Sequence, residues 1–102
     1  MVARIHPARW TREEVAEQLT AILATNDASL LAAVLGSLAR EHGMREVAAA
    51  AGLSREALYK ALRPEAQPRF ATINRVCGAL GVRLVAKPTN PPEELIEDAT
   101  SR

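Results

Sequence analysis

Gly52, set between Ala51 and the pair Leu53-Ser54, constrains this fold more than any other residue in the chain. Before it runs the Ala-rich stretch Met44 to Ala51, which has strong helical preference. After it, Arg55 to Leu62 places Leu58 and Leu62 one helical turn apart. Glycine takes the left-handed conformation that ends a helix, and the Ser54 hydroxyl accepts one of the unpaired amides at the head of the next helix. Ala48 and Ala51 are small enough to let the two helices approach, and Leu53 plugs the corner between them. Helices joined this tightly read as a helix-turn-helix unit. Pro64 forbids much continuation of the second one.

Similar signals divide the rest of the chain. Thr11 and Glu14 have the spacing of a capping box, and Val15, Leu19, Ile22 and Leu23 follow at helical intervals, so a helix is predicted from Arg12 to Ala24. Asn26-Asp27 breaks it. Asp27 caps a second helix whose stripe is Leu31, Val34, Leu35 and Leu38, running to His42 with Gly43 as its stop. The third and fourth helices are Met44–Ala51 and Arg55–Leu62, and residues 64–68 form a loop. A fifth is predicted from Phe70 to Leu80, with Phe70, Ile73, Val76, Cys77 and Leu80 sharing one face and Gly81 closing the end. Val82, Leu84 and Ala86 alternate with Arg83, Val85 and Lys87, the pattern of a short strand before Pro88. With no second strand candidate in the chain, the same strand of another copy is the natural partner, which makes a two-fold homodimer.

Composition agrees with an all-α fold. Hydrophobic residues make up 48% of the chain but aromatics only 3%, so the core is built from Leu, Val, Ile and Ala. The length of 102 residues suits one domain, expected over 11–87 with an N-terminal arm at 1–10 and a flexible acidic tail at 88–102. The single cysteine, Cys77, excludes an internal disulfide and a cysteine-rich metal site, so a reducing cytoplasm is the expected compartment. No apolar run approaches the roughly 20 residues that span a bilayer, and the first residues lack the apolar middle of a signal peptide. No membrane partner is expected.

Catalysis finds little support. His6 and His42 are far apart in sequence, and His42 is explained by its place at a helix C-terminus. Cys77 sits among apolar residues as a small buried hydrophobe. The acids Glu13 and Glu14 fit the start of a helix, and Glu93 and Glu94 fit a solvated tail. There is no metal-ligand spacing and no phosphate-binding glycine loop. Neither enzyme activity nor a metal or cofactor is expected.

The net charge of +1 hides an uneven distribution. Arg55, Lys60, Arg63 and Arg69 stand against Glu56 and Glu65 in the short segment 55–69, a local excess of two positive charges. On the outer side of the fourth helix, Arg55 can form a paired hydrogen bond to guanine in the major groove and Glu56 can accept from cytosine. Tyr59 and Lys60 can reach phosphates or base edges. Ser54 sits where it can bond a phosphate, Arg45 is placed as a phosphate clamp, and Arg63 and Arg69 can flank the groove. Singly, each reads as an ordinary solvated side chain. Together, on the second helix of such a unit, they read as a DNA-binding surface.

From Gly43 to Leu84 the chain resembles the addiction-module antidote proteins, antitoxins with a Cro/λ-repressor-like helix-turn-helix. The resemblance is carried by Gly43-Met44, Ala51-Gly52-Leu53-Ser54-Arg55-Glu56, Leu58-Tyr59-Lys60-Ala61-Leu62, Pro64, Phe70-Ala71-Thr72 and Ala79-Leu80-Gly81-Val82-Arg83-Leu84, and it extends back to about Trp10. It implies a λ-repressor-like domain that neutralises a toxin similar to RelE-type ribonucleases and represses a shared promoter as a dimer on operator DNA. By the same resemblance Ser54, Arg55, Glu56, Tyr59 and Lys60 contact DNA. Arg69 and Arg63 stand where the family commonly has Ser or Thr, an exchange of capping for phosphate contact. The first helix and the N-terminal arm are the expected toxin-facing surface. Two other readings fit the same residues: a stand-alone repressor without a toxin, and an interaction module that has lost DNA binding.

Overall fold

The computed structural model describes residues 10–90, so the arm, apart from Trp10, and the acidic tail from residue 91 onward lie outside the described residues. Five helices follow in order: α1 (Arg12–Leu23), α2 (Ala28–His42), α3 (Met44–Ala51), α4 (Arg55–Ala61) and α5 (Phe70–Ala79). Local chemistry accounts for their ends. The Glu14 amide donates to Thr11 Oγ1 at 3.0 Å while the Thr11 amide donates to Glu14 Oε1 at 2.9 Å, a complete capping box. Asp27 Oδ1 accepts from the Leu30 amide at 3.0 Å, and Ser54 Oγ accepts from the Ala57 amide at 3.0 Å.

Gly52 has φ of 73°, the left-handed conformation, and the chain around it forms a double closure. The Leu53 amide donates to the Ala48 carbonyl at 2.9 Å and the Gly52 amide to the Ala49 carbonyl at 3.2 Å, the paired bonds of a Schellman motif, while Leu53 packs against the core. α5 ends in the same way. Gly81 has φ of 86°, Val82 donates to the Cys77 carbonyl at 3.0 Å, and Val82 rests against the core. Nothing lies within 4 Å of a Cβ placed on Gly52, so Gly52→Ala tests the backbone alone. It is expected to lower stability by about 1–2 kcal/mol, read as a shifted denaturation midpoint with an unchanged slope.

The core is Val15 and Leu19 of α1, Leu31, Leu35, Leu38 and Ala39 of α2, Met44, Val47 and Ala48 of α3, and Leu58, Leu62, Val76, Cys77 and Leu80 beyond. No polar or charged residue is buried with them among the described residues. α3 is central: it packs against α2, α4 and α5, while α1 lies against α2. Two apolar stripes differ from the sequence-based expectation. Leu23 is 41% exposed and Phe70 is 67% exposed, because each sits at the end of its helix where no neighbour covers that side.

Val82 and Leu84 turn inward to the core while Arg83 and Val85 face out, as the alternation predicts, but Ala86 is exposed, so the pattern stops at Leu84. The possible strand is nevertheless not formed here, and no strand occurs among the described residues. A strand exists only through its ladder, and this segment has no neighbour in its own chain to supply one.

Cys77 is 1% exposed, and burial pushes its thiol up to about 11. The folded thiol therefore holds its proton where the unfolded one, near 9, releases it. The stabilisation is complete below pH 9 and is lost as pH rises from about 9 to 11. Urea titrations across that window should show a loss on the order of 2 kcal/mol in the wild type that is missing in Cys77→Ala.

Candidate nucleic-acid interface

α4 owes its exposed face to its anchoring. Leu58 is its one buried residue and Ala57 and Ala61 are half-buried beside it, which turns Arg55, Glu56, Tyr59 and Lys60 together into solvent. Ser54 precedes them as the cap. Its hydroxyl oxygen accepts from Ala57, and its proton remains available to a phosphate. The guanidinium carbon of Arg55 lies 5.8 Å from the centre of the Tyr59 ring.

Arg45, Arg63 and Arg69 are exposed on other elements. Arg45 lies on the solvent side of α3. Arg63 follows α4 and pairs with Glu65 at 3.6 Å across an open surface, where such pairs contribute little. Arg69 is the N-cap residue of α5, where a guanidinium, having no acceptor, cannot cap, and its side chain makes no ion pair or hydrogen bond among the described residues. Neither Arg45 nor Arg69 forms an ion pair or hydrogen bond with the α4 side chains. The expected residues thus divide into one continuous row on α4 and three separate cations.

The structure also shows a cleft that no sequence motif marks. It is lined by Trp10, Arg12, Val15, Leu38, Glu41, His42 and Leu80. These residues are scattered along the chain, so only folding brings them together. Among the described residues, no three His, Cys, Asp or Glu side chains gather where a metal could be held. No described helix is long and apolar enough to cross a membrane.

Five short helices around an aliphatic core, with a capped and outward-facing α4, define a small all-helical protein that presents a polar, partly basic face. Residues 8–88 match the family described as probable addiction module antidote proteins, and the chain belongs to that family. Over 73 residues it is 40% identical to an uncharacterized protein of Haemophilus influenzae, an overlap of 72% of this chain and 75% of that one. No solved structure is significantly similar to it.

Proposed function

We propose that this protein is the antitoxin of a toxin–antitoxin pair: it binds and silences a RelE-like toxin in the cytoplasm and represses their shared promoter as a homodimer on double-stranded operator DNA. Membership of the antidote family supports the toxin partner. The tight turn between α3 and α4 supports reading the pair as a Cro/λ-repressor-like helix-turn-helix, in which the second helix enters the major groove. The observation that carries the DNA reading is the exposed row Arg55, Glu56, Tyr59 and Lys60 on a helix whose one buried residue, Leu58, lies on the other side. Arg55 reads guanine, Glu56 meets cytosine, Tyr59 and Lys60 serve base edge or phosphate, and Ser54, Arg45, Arg63 and Arg69 hold phosphates. The protein acts by binding, without catalysis, metal or cofactor.

Two experiments test the two halves. Co-purification with the product of the adjacent gene is expected to yield a stable complex, and its absence contradicts the toxin partner. A gel shift with the DNA upstream of the gene is expected to show a specific complex, and none would favour an interaction module instead. For the dimer, residues 82–86 are the proposed seam, and Val85 is 65% exposed there. Val85→Pro removes a backbone donor without touching the core, so sedimentation should report a monomer of unchanged helical content. An unchanged dimer rules this seam out.

A further inference from the structure

Arg55 and Tyr59 are one helical turn apart, so their contact is set by spacing on α4 itself. A guanidinium 5.8 Å from a ring centre is within reach of the ring's negative face. Held over the ring, the guanidinium still has N–H groups free for a planar acceptor pair. Nothing else restrains it: Arg55 has no ion pair or hydrogen bond among the described residues. Tyr59 is 43% exposed, so more than half of its surface is already covered although it sits on the outer side of the helix.

We propose that Tyr59 is a positioning residue for Arg55: its ring holds the guanidinium ready for one guanine, so that sequence discrimination at that base pair depends on a side chain that need not touch it. The proposal rests on the reading of α4 as the DNA-reading helix. An unrestrained arginine loses much of its rotamer freedom on docking, and a prior contact with the ring removes part of that loss. The working part of Tyr59 is the ring. Its hydroxyl has no role in holding Arg55.

The test uses the full chain, duplex DNA from upstream of its gene, and a set of single base-pair changes in that duplex at fixed salt. The pair read by Arg55 is the one whose mismatch penalty disappears in Arg55→Ala. Compared with Tyr59→Phe, which lacks the same hydroxyl contact to DNA, Tyr59→Leu is expected to shrink that penalty about two- to five-fold and to leave the other penalties and the salt slope as they are in Tyr59→Phe. Tyr59→Phe is expected to keep the full penalty, and Tyr59→Leu should add nothing in an Arg55→Ala background. Unchanged thermal midpoints show that the variants fold. The proposal is overturned if Tyr59→Leu weakens all sequences alike, if Tyr59→Phe behaves like Tyr59→Leu, if the penalty is untouched by Tyr59→Leu, or if no pair depends on Arg55. A wild-type chain that binds every duplex equally, or none, instead removes the DNA reading itself, and the positioning role with it.

Discussion

Replacing Leu58 by Ala is expected to lower the unfolding free energy by about 2–5 kcal/mol, the largest effect of any single change considered for this protein. Leu58 is 0% exposed and lies in the same core as Val47 and Ala48 of α3, so truncation opens a cavity that its neighbours fill only in part. Against a typical total of about 5–15 kcal/mol, that loss removes a large share of the stability. α4 has seven residues, far fewer than an isolated helix needs to persist in water, so its helicity depends on this anchor. Loss of the anchor should therefore fray α4 and weaken DNA binding as well. Lys60→Ala, on the opposite side of the same helix, should change stability by no more than about 0.5 kcal/mol. Denaturant titration of the two variants checks the contrast. A Leu58→Ala loss below about 1 kcal/mol would contradict the anchoring described here.

Arg55→Ala is expected to weaken binding to the operator by about 1–3 kcal/mol while leaving affinity for random duplex nearly unchanged. A paired hydrogen bond to guanine is made only with the right base, so its loss erodes the difference between sequences. Arg63→Ala makes the opposite pattern. Arg63 follows α4 and carries only a surface pair with Glu65, so its removal should weaken all sequences alike and reduce the salt slope by about one. Affinities of both variants for operator and random DNA at several salt concentrations separate the two roles. Equal losses on both DNAs for Arg55→Ala would refute base reading at that position.

The helix ends were legible in the sequence because their chemistry is local. Thr11 with Glu14, Asp27 and Ser54 each act within three residues, and Gly52 takes a conformation that its lack of a side chain permits. The buried stripe of α2 was equally readable from its period. Leu23 and Phe70 were not, since their exposure depends on which neighbour reaches the end of a helix, and periodicity carries no such information. The cleft between Trp10 and Glu41 was hidden for a related reason: its walls are far apart in sequence. At α4 the outer row was visible from residue type and spacing. The approach of the Arg55 guanidinium to the Tyr59 ring depends on rotamers, although the one-turn separation was a signal available for it.

The central claim is that the α4 face of this antidote-family protein reads its own operator. Titrating labelled DNA from upstream of the gene, and a random duplex of equal length, with the wild-type chain at roughly physiological salt tests it most directly. The account predicts that the upstream duplex binds at least about a thousand-fold more tightly. Equal affinity for the two duplexes, or no binding to either, would contradict it.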